Sequence, residues 1–143
     1  MWRRTLRHWT TSTHGRLVLG IAIAYREREL EAVGLTRKDR TAKLEESLLL
    51  MKRLWAGEEV TSSGTYTKLT KSRMGFTPYQ KPDPPIEMGA QSEGATRRAA
   101  RLADSVFFGP QVAWADMKKL AEVYREARRG DGSVPDKRAG RLA

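Results

Sequence analysis

The 143-residue chain contains no cysteine, which excludes disulfides, thiolate metal sites and a cysteine nucleophile and fits a cytoplasmic protein. It has two histidines, His8 and His14, both near the N-terminus, so no metal-ligating set is read from it. Long apolar runs are missing too. The longest, Leu17 to Ala24, has eight residues, too short to span a bilayer and too far from a clean cleavage site to be a signal peptide. Aromatic residues make up only 8%, and no helix-turn-helix, zinc-finger or RNA-binding aromatic motif is found. What remains is a chain of one-domain size whose 39% hydrophobic content suffices for a core.

The formal net charge of +10 raises the question of a nucleic-acid partner, and its distribution answers it. Residues 1–16 hold four Arg and no acid, and residues 125–143 hold six basic against three acidic residues. Residues 17–124 carry 17 basic and 14 acidic residues, the balance of an ordinary solvated domain. A non-catalytic basic module, for nucleic acid, is therefore the alternative reading, supported by charge alone.

Three strand-then-helix units follow one another. In "RLVLGIAIAY" the large residues Leu17, Leu19, Ile21 and Ile23 alternate with the smaller Val18, Gly20, Ala22 and Ala24. Both faces are apolar, so a strand over 17–24 buried on both sides is expected. The polar stretch "REREL EAVGLTRKDR" leads to a helix over 41–56, with Leu44, Leu48, Met51 and Trp55 on one stripe. Residues 57–85 contain Gly64, Gly75 and four prolines, and "TSSGTYTKL" reads as a small hairpin or extended excursion. The second strand, "PPIEMGA", precedes a helix over 92–103 with Ala95, Ala99, Leu102 and Ala103 on one side. The third, "SVFFG", precedes a helix over 112–128 with Trp114, Met117, Leu120 and Tyr124 in register. Repeated βα order implies an α/β fold with parallel strands and right-handed crossovers.

The joint between the second strand and its helix, "GAQSEGA", is built from small and polar residues. Two explanations stay open: a tight turn capped by Ser92, or a place where an anion reaches the unpaired N–H groups of the helix start.

The order and spacing of several elements over residues 15–128 resemble the bacterial luciferase-like family of flavin- or deazaflavin-dependent oxidoreductases. They are Gly15-Arg16, Leu19-Gly20, Tyr25, Glu29, Gly34, Arg40, Leu54-Trp55, Gly64 with Tyr66, "KPDPPI" and "SEGATRRAARLAD". The resemblance implies a partial TIM (β/α)8 barrel of about three βα units, between a basic N-terminal segment, 1–14, and a basic, flexible tail, 129–143. It also implies FMN or a deazaflavin coenzyme with its phosphate at Gly89, Ala90, Gln91, Ser92, Gly94 and Ala95. Ala22 and Ala24 would then make space beside the ring, and Tyr25 would either pack near the barrel mouth or serve in the core or as a loop anchor. No catalytic side chain is assigned. A small organic substrate is implied for full-length relatives, and no membrane partner.

Period-two alternation would turn Glu87, Gly89 and Gln91 to the barrel interior, leaving Glu87 as an internal salt-bridge partner or part of a polar site. Arg40 is expected to pair with Glu45 or Asp39. A complete barrel has eight strands in about 250 residues, so an internal fragment, inactive alone unless missing barrel segments or self-association complete it, is expected. One account of the atypical start is a shifted reading frame, in which residues 1–12 reread as a family-like helix.

Overall fold

A computed structural model describes residues 12–24 and 26–130. Tyr25, most of the basic N-terminal segment and nearly all of the C-terminal tail lie outside them. The chain divides into two compact units, residues 1–86 and 87–143.

In the first unit the strand β1 covers only Leu19–Ile21, shorter than the expected 17–24. The alternation is real, but it buries one side only. Leu17, Leu19, Ile21 and Ile23 are half-buried, whereas Val18, Gly20 and Ala22 are exposed. The expectation of two buried faces fails because no described layer covers the small-residue side. Just before the strand, Gly15 has φ +77°, and a Cβ there would lie 3.1 Å from the Tyr79 ring. The neighbouring Gln80 is buried and donates from Nε2 to the Leu17 carbonyl at 2.7 Å, so the 79–80 segment holds the start of β1. The first residue of the strand is tied as well, by Leu19 N–H to the Pro85 carbonyl at 2.8 Å.

The stretch read as polar connection contains a short helix, α1, Glu27–Glu31. Leu30 is its one buried residue, too little apolar content to register as a periodic stripe. Gly34 takes φ +68° and ends the turn that follows as glycine does after helices. Helix α2 runs Asp39–Trp55. Leu48 and Trp55 of the expected stripe are buried, with Leu50, while Leu44 and Met51 are half-buried. Trp55 and Val60 are among the most completely buried side chains, at 1% and 0% exposure.

The excursion is a hairpin, β2 Val60–Ser63 with β3 Lys68–Ser72, paired antiparallel. Its turn is fastened to α2, because both Glu46 carboxylate oxygens accept the Tyr66 N–H at 3.2 and 3.3 Å. Gly64 lets this carboxylate approach, as a Cβ there would fall 2.7 Å from it. Tyr66 donates its hydroxyl to Asp39 at 3.0 Å. Bonds from the Thr36 hydroxyl and N–H, then Tyr66, hold the Asp39 carboxyl below its usual range. Desolvation, then the Asp39 bond, pushes the Tyr66 phenol up. Among the described residues Arg40 bonds a carbonyl, where a carboxylate was expected. Its Nη1 donates to the Ala24 carbonyl at 3.0 Å, which makes it an anchor for the chain leaving β1.

Strand β4, Ile86–Ala90, begins on the last residue of the first unit and continues into the second. In the second unit it pairs in parallel with β5, Ser105–Phe108. Met88 and Ala90 are buried, and Glu87 and Gly89 are half-buried on the other face. The register sets Glu87 beside Ser105 and Gly89 beside Phe107. Ser105 donates its hydroxyl to Glu87 at 3.3 Å, so a hydroxyl takes the place of the expected salt-bridge cation. Phe107, paired with Gly89 on β4, is 42% exposed.

Helix α3, Glu93–Leu102, buries Thr96, Ala99 and Ala100, and these small side chains let α4, Trp114–Gly130, pack closely alongside. Leu120 and Val123 face inward from α4. Trp114, expected on that stripe, is 74% exposed, because the helix starts at this residue and its inward stripe begins a turn later. The C-terminus of α3 is held from α4: Tyr124 donates to the Asp104 carbonyl at 3.4 Å and Arg128 to the Ala103 carbonyl at 3.3 Å. The Arg128 guanidinium also lies 5.8 Å from the Tyr124 ring centroid. Among the described residues no helix is long and apolar enough to cross a membrane.

Gly15→Ala should lower stability by about 1–2 kcal/mol, the cost of a side chain in the left-handed region. A lower urea midpoint at unchanged m-value is the expected readout, and an unchanged midpoint would show that the turn can relax.

Candidate functional site

The bare joint follows β4 directly. Ser92 is extended, with φ −150° and ψ 163°, and its Oγ accepts the Ala95 N–H at 3.4 Å. Its carbonyl accepts both the N–H and the hydroxyl of Thr96, each at 2.9 Å. The capped turn foreseen as one alternative is therefore present. It leaves the Glu93 and Gly94 amides in the first turn, where an α-helix supplies no acceptor.

Packing does not explain Gly94, since a Cβ there would meet no atom within 4 Å. Gln91, Ser92, Glu93 and Gly94 are exposed and Ala95 is half-buried. Ala90 is 3% exposed, so its backbone is what it can present to a ligand. These residues of the expected set form one continuous stretch. Ala22 and Ala24 belong to the first unit, beyond the end of β1, the former exposed and the latter half-buried.

Beside the joint lies a cleft of about 320 Å³. Gln91, Ser92 and Glu93 line it, and so do Gln111, Asp116 and Lys119, with Val112 and Leu120 as its apolar members. Two polar contacts cross it. Gln91 Nε2 donates to Gln111 Oε1 at 3.1 Å, and Lys119 Nζ stands 2.9 Å from Glu93 Oε1. The Lys119 hydrogen bond and charge hold the Glu93 carboxyl below its usual range, and the same contact with Glu93 raises Lys119. Gly109 makes room for the amide pair, as a Cβ there would come 2.8 Å from Gln111 Oε1.

Gln111, Asp116, Lys119 and Thr96 were absent from the expected site. A signal for Gln111 existed: "GPQ" follows β5 and "QS" follows β4, each with a glutamine just past its strand, and parallel strands deliver both ends to one edge of the sheet. Lys119 is one of many basic residues on solvated helices, and sequence alone does not single it out. The donor set suits a phosphate through first-turn amides, the Ser92 hydroxyl and side-chain amides, with Lys119 as the one cation against Glu93 and Asp116. Among the described residues no cluster of three or more His, Asp or Glu could hold a metal ion.

A family model described as luciferase-like monooxygenase matches residues 8–139. The chain belongs to that family. This luciferase-like chain is 42% identical over 95 residues to an F420-dependent glucose-6-phosphate dehydrogenase of Nakamurella multipartita, covering 63% of this chain and 26% of that protein. An enzyme of the same name from Segniliparus rotundus is 36% identical over 118 residues, 78% of this chain and 32% of that protein. Among solved structures, the monooxygenase RslO1 of Streptomyces bottropensis matches with a TM-score of 0.79 at 26% identity, over 94% of this chain and 41% of that one. An F420-dependent secondary alcohol dehydrogenase in complex with an F420-acetone adduct matches with a TM-score of 0.77 at 19% identity, over 95% and 42%, and shows the fold alone. The chain thus spans roughly a quarter to a third of these curated relatives. The partial TIM-barrel expectation holds, and the basic-module alternative is not favoured.

Ser92→Ala should cost about 0.5–1 kcal/mol of stability, near the low end for a cap because its bond is long; thermal or urea unfolding checks this. In an NMR titration, Glu93 should lose its proton at a lower pH than an ordinary Glu. Lys119→Met should return its midpoint toward the ordinary value, and an unmoved midpoint would refute the ion pair as the cause.

Proposed function

We propose that this chain supplies part of the coenzyme cradle of a luciferase-like oxidoreductase, with Gly89, Ala90, Gln91, Ser92, Gly94 and Ala95 receiving the phosphate end of FMN or a deazaflavin. The observation that carries this is the exposed, capped start of α3 with open space at Gly94. Backbone amides of the first turn hold negative charge in the favourable field of the helix end, and the Ser92 hydroxyl adds a donor. When bound, a flavin-type coenzyme supplies the redox chemistry, either hydride transfer or oxygen activation. The protein's part is to bind and orient. Ala22 and Ala24 are space-making residues beside the ring, and the substrate is a small organic molecule.

In this reading residues 15–128 are the barrel segment, between basic segments at either end. Association with further barrel segments, or with another copy, would complete the site, since barrel enzymes assemble it from loops after many strands. A cytoplasmic location fits the cysteine-free sequence.

Titration of the chain with FMN and with riboflavin, which lacks the phosphate, tests the cradle. FMN should bind more tightly, and Ser92→Ala should narrow the gap by roughly 1.5–3 kcal/mol, the worth of a hydrogen bond to a charged group. Gly94→Val should block FMN while leaving the circular dichroism spectrum unchanged. If FMN loses no more affinity than riboflavin in both variants, the joint is only a turn and a cap. Purified chain alone should show no substrate-dependent oxidation of reduced flavin; robust turnover would overturn the need for completion.

A further inference from the structure

In the cleft beside the joint, the carboxylate of Glu93 already holds the one cation. Lys119 Nζ lies 2.9 Å from Glu93 Oε1, with side-chain exposures of 69% and 46%, and both residues line the cleft. An anion arriving at the start of α3 meets a negative charge at the first helical position, and the lysine that would favour it is engaged. Asp116, which also lines the cleft, adds a second negative charge and acts on Lys119. Phosphate binding there requires an answer to the question of where Glu93 goes.

The helix supplies one. Arg97 lies four residues after Glu93 on the same helix, the spacing and order in which a carboxylate and a following cation pair best. Arg97 is exposed and its charge already acts on Glu93. We propose that Glu93 is an internal occupant of the cleft's anion position, and that a ligand phosphate binds by exchanging with it: Glu93 turns from Lys119 to Arg97, and Lys119 becomes the counter-charge of the phosphate. Glu93 and Arg97 are then specificity-determining residues. A phosphate is strong enough an acceptor to displace the carboxylate, whereas a neutral ligand leaves the gate closed. The inference rests on the phosphate-cradle reading and adds to it the residue that opposes binding and the one that receives the opponent. Exposed ion pairs are weak, so the exchange is an easy one and its effects are modest.

The test uses the full chain and its Glu93→Gln, Lys119→Met and Arg97→Met variants, each checked for unchanged circular dichroism and titrated with FMN and with riboflavin. Glu93→Gln should raise FMN affinity about two- to fivefold, the range an exposed pair supports, and leave riboflavin affinity unchanged. Lys119→Met should lower FMN affinity by a similar factor. Arg97→Met should also lower it, and this loss should vanish in the Glu93→Gln background, as a double-mutant cycle reads coupling. Inorganic phosphate should compete with FMN more strongly in Glu93→Gln than in the wild type. A wild-type preference for FMN that neither Glu93→Gln nor Lys119→Met moves overturns the exchange and leaves the cradle standing. No preference for FMN in the wild type or in Glu93→Gln overturns both.

Discussion

Parallel pairing of β4 with β5 is the constraint on which the candidate site depends. Two parallel strands run out at the same edge of their sheet, so the segment after each one emerges beside the other. The register, Ala90 beside Phe108, places the two exits level. From one exit come Gln91, Ser92 and the start of α3; from the other come Gly109, Gln111 and the start of α4. An antiparallel pair would have sent these segments to opposite edges, and no cleft lined by both would exist. The small buried face of α3, Thr96, Ala99 and Ala100, then keeps the two helices near enough for Lys119 to reach Glu93.

Within that cleft, neutral and charged groups divide the work. The amide pair Gln91–Gln111 and the cap at Ser92 fix the positions of dipoles without net charge. The Glu93–Lys119 pair places opposite charges across the cleft on side chains that both remain substantially exposed. Under the proposed exchange, such a site would discriminate by whether an incoming group can replace a carboxylate.

The elements were legible in the sequence where periodicity is strong. The stripe Leu48 and Trp55 located α2, the alternation of Ile86, Met88 and Ala90 located β4, and the Ser92 joint located the start of α3. The hairpin was legible from "TSSGTYTKL". Short or sparsely apolar pieces were not: α1 buries one leucine, and β1 is three residues long. The exposure of Val18 and Trp114 was hidden for a different reason. Alternation and helical spacing say which side chains share a face, and only the surrounding structure says whether that face is covered. Arg40 shows the same limit for partners, because a guanidinium reads as an ion-pair former in sequence and here bonds a carbonyl. At the site, Gln91 and Ser92 of the expected stretch line the cleft, whereas Asp116 and Lys119 of the next βα unit were not legible, since charged residues on a solvated helix more than twenty positions away leave no local pattern.

The glycine after β5 ties two positions of the sequence into one choice. With Gln111 in its present place, the position two residues earlier has no room for even a methyl group, because its carbon would fall 2.8 Å from the amide oxygen. The amide sits at the end of a flexible side chain and can shift, at the expense of its 3.1 Å bond from Gln91 across the cleft. Among descendants of this sequence, residues 109 and 111 should therefore change together: a lineage that keeps the bridging amide keeps the glycine, and one that loses the amide is free to acquire a side chain there.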